Sequence, residues 1–153
     1  MTAITKDIIN NRHAYHEFYI EDKYEAGIVL LGTEVKSLME GKIQLKESYV
    51  TIKEHEIWLM NAHISHYTHG NRNNHDVLRT RKLLLKRREI DKLEKSITIK
   101  GLTLVVTRIY WHNRRIKFEI GVAKGKKLFD KRDTLKSKDI ERETRQHLKE
   151  SLR

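Results

Sequence analysis

A chain of 153 residues with 32 Lys+Arg against 21 Asp+Glu has room for one cored domain plus an appendage, and its net charge of +11 favours a phosphate-rich partner. The absence of cysteine excludes a disulfide framework, a thiolate zinc site and a cysteine nucleophile. No apolar run reaches membrane-spanning length and the polar opening residues do not read as a signal peptide, so the cytoplasm is the expected compartment.

Three segments are expected: a flexible N-terminal arm over 1–12, a folded body over 13–123 and a basic tail over 124–153. The arm is polar and ends in Asn10, Asn11 and Arg12. From His16 the body reads as strands, with Phe18 and Ile20 alternating against Glu17, Tyr19 and Glu21. Asp22-Lys23 reads as a turn into EAGIVLLG (25–32), apolar enough for a central strand. Thr33 is the expected cap of a short helix in which Val35, Leu38 and Met39 share a face, and Gly41 is its stop. Strands return at Tyr49–Lys53 and Ile57–His63, joined through Glu54-His55-Glu56.

Residues 66–78, dense in Gly, Asn and His, have no period and read as an exposed loop. The run RTRKLLLKRR (79–88) precedes a helix over Glu89–Lys95, where Asp91 can pair with Lys95 at i, i+4. GLTLVVTRIYW (101–111) and IKFEIGV (116–122) close the body as strands, with Asn113 in the turn between them. Short strands, small helices and no βαβ rhythm give a mainly β fold, an antiparallel barrel or sandwich. For a basic protein the five-stranded oligonucleotide-binding (OB) barrel, with two or three short helices, is the natural candidate.

Residues 124–153 hold eleven Lys/Arg and six Asp/Glu, a net charge of +5, and few large apolar side chains. Such a segment buries too little surface to offset its ordering entropy, so it is expected to be intrinsically disordered until a polyanion binds it. Glu141 and Arg145 stand at i, i+4, as do Leu148 and Leu152, so the bound form can be helical.

Arg79, Arg81, Lys82, Lys86, Arg87 and Arg88 place six cations in ten residues with no acid between them. They are expected to face solvent or phosphate while some of Leu83, Leu84 and Leu85 anchor the segment. His63, His66, His69 and His75 lack a helix to hold them on one face, which argues against a metal. Acid–base cleavage of RNA by His16 with Glu17 or Glu25 stays an alternative, although no spacing converges two titratable groups. Tyr19, Tyr49, Tyr67, Trp58, Tyr110 and Trp111 are available either to the core or to stacking on bases. No phosphate loop, GxGxxG fingerprint or serine elbow is present.

Four stretches, EAGIVLLGTEVKSL (25–38), GNRNNHD (70–76), TRKLLLKRREI (80–90) and GVAKGKKLFDKR (121–132), occur in order along the chain. Together they resemble the SsrA-binding protein (small protein B) family, the bacterial partner of transfer-messenger RNA, over nearly the whole chain from about Asn11. The resemblance implies an OB-fold barrel that holds the tRNA-like domain of that RNA. Alanyl-tRNA synthetase and elongation factor Tu would act on the same RNA before it reaches a stalled ribosome. It further implies a tail that enters the vacant A site and mRNA channel as a helix, with no catalysis, cofactor or metal. By the family match, Asn11, Glu25, Leu84 and the Arg81-Lys82 pair are expected against the tRNA-like domain, and the cation block adds Arg79 and Lys86. Lys124, Gly125, Lys126, Lys127, Phe129, Asp130, Lys131 and Arg132 match the ribosome-facing start of the tail. Val77 stands where many relatives carry proline, and Met39 where an arginine is common. A general single-strand nucleic-acid-binding barrel is the alternative of a different kind.

Overall fold

In the computed structural model, residues 5–69 and 74–126 are described. The elements in order are β1 (Thr5–Asn10), α1 (Arg12–Glu17), β2 (Phe18–Ile28), α2 (Gly32–Met39), β3 (Ile43–Gln44) and β4 (Tyr49–Lys53). They continue as β5 (Glu56–Met60), β6 (His63–Ile64), β7 (Arg81–Leu84), α3 (Arg87–Thr98), β8 (Thr103–His112) and β9 (Arg115–Gly125). Every pairing is antiparallel. The sheet order β8-β4-β5-β7-β2-β9 closes on itself because β9 also pairs with β8. The result is the expected OB-like barrel, with six strands rather than five.

The closed ring follows from period-two alternation. Ile57, Leu59, Leu83, Ala26, Phe118, Ile120, Leu104, Val106 and Ile109 turn inward and are buried, while their neighbours turn outward. The turn between β4 and β5 puts Glu54 (φ 51) and His55 (φ 64) in the left-handed region, and the β8–β9 turn does the same with Asn113 (φ 48) and Arg114 (φ 64). β9 can lie close to both neighbours because residue 121 is glycine: a Cβ there would be 2.7 Å from Thr107 Cγ2 and 3.1 Å from Ile20 Cγ2. Bulges on either side, between Ile20 and Asp22 and between Val106 and Arg108, bend the sheet at that point.

Several sequence readings are corrected. The arm expected over 1–12 is a strand from Thr5 to Asn10, paired along the outer end of β8, followed at once by α1. Asp22-Lys23 is no turn, since β2 runs through it as one strand with a bulge. Thr33 does not cap α2. The Glu34 carboxylate instead accepts the Leu31 N–H at 2.8 Å. Gly41 does end that helix, with φ +71. α3 is longer than expected, and Asp91 pairs with Arg87 at 3.4 Å rather than with Lys95. β9 carries the body to Gly125, and the tail from Lys127 onward lies outside the described residues.

Candidate nucleic-acid interface

The outer surface of β2, β7 and β9 brings together residues far apart in the chain. Alternation sends Ala26 and Phe118 inward, and so turns Glu25, Gly27, Lys117 and Glu119 outward. β7 lies along the other side of β2 with Leu84 opposite Gly27. Beside this pair runs a groove of about 480 Å³. Its lining is mixed, with Ile28, Leu30, Leu84 and Trp111 apolar and Arg114, Arg115 and Lys117 cationic. Leu84 is 49% exposed, unusual for a leucine in a strand. Among the described residues no acid lies within ion-pair distance of Arg114 or Arg115.

Glu25 stands two residues before Gly27 on the same face, 49% exposed, with Lys117 Nζ 3.9 Å away. The Tyr110 hydroxyl donates a short hydrogen bond to its carboxylate. Burial first, and then the bond to Glu25 and its charge, push the Tyr110 phenol far above its ordinary pKa, so the hydroxyl remains a donor. The Arg108 guanidinium lies 4.2 Å from the Tyr110 ring centroid and is paired with Asp7 at 3.1 Å and Glu119 at 3.5 Å. These contacts fix Glu25 as an oriented acceptor beside the groove. Phosphate is repelled by a carboxylate, so the chemistry it suits is base or ribose donors.

The cation block divides by strand alternation, which the sequence reading missed. Arg81 is fully buried, which corrects the expectation that it faces solvent. It makes a short ion pair with the buried Glu34 and donates to the carbonyls of Ala62 at 2.8 Å and Val77 at 3.3 Å. Arg79 binds the same carboxylate at 2.6 Å and the Val29 carbonyl at 3.1 Å, so its charge is largely taken up inside the fold. Burial alone would raise the Glu34 carboxyl, but hydrogen bonds from Arg79, the Leu31 N–H and Arg81 outweigh it and hold the group below its ordinary value. Lys82 faces outward, with Glu56 at 3.0 Å in an exposed pair, and Lys86 is exposed at the start of α3.

Asn11 is tied down: its side-chain amide donates to the Val106 carbonyl at 2.8 Å and its N–H to that of Thr107 at 2.9 Å. It fixes the entry to α1, whose Ala14 packs on Val105 and Ala123. Where β9 ends, Lys124 lies opposite Tyr19, and the Lys126 ammonium lies 5.0 Å from the Tyr19 ring and 3.0 Å from the Tyr15 carbonyl. A hydrogen bond to Tyr15 and the charge of Glu119 outweigh burial and raise the Lys23 pKa, which keeps a further cation there. Lys124, Gly125 and Lys126 thus lie at a basic, tyrosine-bearing corner, while Lys127, Phe129, Asp130, Lys131 and Arg132 lie outside the described residues.

His75 is a structural clamp. Its Nε2 lies 2.9 Å from the Ile64 carbonyl, which can only accept, so Nδ1 takes the Thr33 hydroxyl at 2.9 Å. Among the described residues His63, His66 and His69 form no ligand cluster. The group that does gather is the exposed His55 with the half-buried Asp91 and Glu94, and Asp91 is already paired to Arg87. His16 has Glu17 Oε1 at 3.9 Å, an adjacent residue, and Glu25 is engaged elsewhere. The groove cations Arg114, Arg115 and Lys117 were missed by the sequence reading. The signal was present, because cations flanking a tight hairpin turn project from a barrel rim.

Comparison with known proteins adds to this geometry. The sequence profile of the family described as SmpB protein matches residues 8–150. The chain is 52% identical over 145 residues to the SsrA-binding protein of Syntrophotalea carbinolica, covering 95% of this chain and 97% of that one. It is 51% identical over 148 residues to that of Pelobacter propionicus, covering 97% of each. The fold is similar to that of a chain in a solved structure described as "tmRNA-SmpB: a journey to the center of the bacterial ribosome". The TM-score is 0.67 at 43% identity, with 78% of this chain and 85% of that chain covered.

Proposed function

The chain belongs to the SmpB protein family, and from this membership together with its surface we propose that it is an RNA-delivery factor of trans-translation. The barrel binds the tRNA-like domain of transfer-messenger RNA and brings that RNA to stalled ribosomes, where incomplete proteins are tagged and released. The observation that carries this reading is the outer face of β2, β7 and β9. There an exposed leucine lines one groove with Arg114 and Arg115, which have no acid within ion-pair distance among the described residues, and the oriented Glu25 carboxylate lies on the same outer face. Apolar contact, a directional acceptor and phosphate-binding cations are what a folded, partly unstacked RNA needs.

The face that meets the RNA comprises Glu25, Leu84, Lys82 and Lys86, with Asn11, Arg79 and Arg81 shaping it from behind. The tail beginning at Lys124 acts separately, in the vacant A site and mRNA channel. The protein makes no bond itself and needs no cofactor. Alanyl-tRNA synthetase charges the RNA it carries and elongation factor Tu travels with it, all in the cytoplasm. Among the described residues no helix is long and apolar enough to cross a membrane.

Removing residues 127–153 tests the division of labour. Affinity for a transcript of the tRNA-like domain should stay within about twofold, while peptide tagging in a reconstituted system with a stop-less message should be lost. A parallel collapse of RNA affinity would refute separate roles for barrel and tail. A second reading, a general single-strand binder, draws on the exposed Tyr15, Tyr19 and Tyr49. It requires equal affinity for unstructured DNA and RNA, which the same titration measures.

A further inference from the structure

We propose that the groove beside Leu84 receives one extruded, unpaired nucleobase of the bound RNA, with Arg114 and Arg115 taking the phosphates that flank it. The inference deepens the delivery reading, resting on it only for the identity of the ligand as a structured RNA.

Residue 27 carries much of the argument. Glycine in a strand normally weakens it, and a left-handed backbone is the usual reason to keep one. Gly27 has no such φ, so its backbone does not demand glycine. What it supplies is space: a Cβ would lie 3.3 Å from Leu84 Cβ, and any longer side chain would extend over the groove floor. With residue 27 bare, Leu84 and Trp111 face an opening of about 480 Å³, within the range of sites that enclose small organic ligands.

Charge then selects the occupant. An apolar floor with no charge would suit a hydrophobic side chain, and cations without a floor would suit phosphate alone. The combination of apolar lining with Arg114, Arg115 and Lys117 in the same groove matches a nucleotide, flat and apolar in its base and anionic at its phosphates. An acidic peptide would meet the cations equally well, but it would also meet Glu25, held in place by Tyr110 beside the groove. That carboxylate disfavours an acidic chain and accepts from base amino or imino groups.

The test uses the full-length protein and a tRNA-like-domain transcript carrying a single abasic nucleotide, placed in turn at each unpaired position. Gly27→Val should weaken binding of the intact transcript by about tenfold or more, the scale of one lost base stack. One abasic position should weaken wild-type binding by a similar factor and add nothing in Gly27→Val. If Gly27→Val melts at a lower temperature than wild type, Leu84→Ala replaces it in the same cycle. Unchanged affinity of both variants for the intact transcript would assign the groove to a protein partner and overturn the proposal. Equal losses for every abasic RNA with wild-type and variant protein would overturn it too. Failure of the delivery reading looks different: wild type would then show no preference for the structured transcript over unstructured RNA.

Discussion

Glu34→Ala is the substitution whose cost the structure determines most closely. The Glu34 carboxylate is fully buried and takes up Arg81, Arg79 at 2.6 Å and the Leu31 N–H at 2.8 Å. Without it, Arg81 keeps two neutral carbonyl partners and no ion pair, only the weaker charge interaction with Asp76, at a position with no solvent exposure. Stranding a buried charge in this way costs about 3–5 kcal/mol. A domain of this size is stable by about 5–15 kcal/mol, so the variant loses a substantial share of its stability. With a urea slope of about 2 kcal/mol per molar, the unfolding midpoint should fall by about 2 M, read by circular dichroism. The paired replacement Glu34→Leu/Arg81→Met should regain part of the loss, because it removes the charge as well as its partner. Because the folded pKa of Glu34 is lowered, its contribution is complete above the unfolded carboxyl value of about 4.3 and is lost as pH falls through the lower folded value. The acid limb of the stability profile should therefore flatten in Glu34→Gln. A midpoint shift under 0.5 M in Glu34→Ala would refute this reasoning, since it would mean that Arg81 escapes to water at little cost.

Three further outcomes are expected. Gly121→Ala should lose about 1–3 kcal/mol, because its Cβ meets Thr107 Cγ2 at 2.7 Å between two bulged strands, and thermal melting measures it. Tyr110→Phe keeps the ring and frees Glu25, so RNA affinity should fall about threefold to tenfold with little change in melting temperature, and the loss should vanish in a Glu25→Ala background. Arg115→Ala should lower the slope of log affinity against log salt by about one, whereas Glu25→Ala should weaken binding at an unchanged slope.

Where side chains alternate without interruption, the fold could be read from the chain. Ile116, Phe118, Ile120 and Val122 face the core as their spacing requires, and the Glu54-His55 turn lies where the two flanking strands need it. The elements that escaped have local reasons. β1 carries a bulge between Asp7 and Ile9, so Ile8 and Ile9 break the alternation that would mark a strand. α1 has six residues and no side-chain cap. The bulge in β2 puts Asp22 and Lys23 outside on a continuous strand, a composition shared with turns. Glu25 and Leu84 could be placed on the surface by family likeness, but that they share one outer face, with Leu84 opposite Gly27, depends on which strands pair, and pairing is a long-range property.

The cation block shows why charge density is an unreliable guide to a surface. By density alone six cations in ten residues require solvent, yet β7 is a strand, and period two sends every second residue inward whatever its charge. Arg81 can occupy an inward position because Glu34, 47 residues earlier, is also turned inward by α2. Neither burial is tolerable alone. Their pairing ties α2 to β7, and α2 follows directly on the end of β2 whose Gly27 and Ile28 line the groove. A basic residue in an RNA-binding protein can thus contribute to binding by holding the recognition surface in shape, and RNA affinity lost on substituting Arg81 would report on the groove's architecture rather than on a phosphate contact.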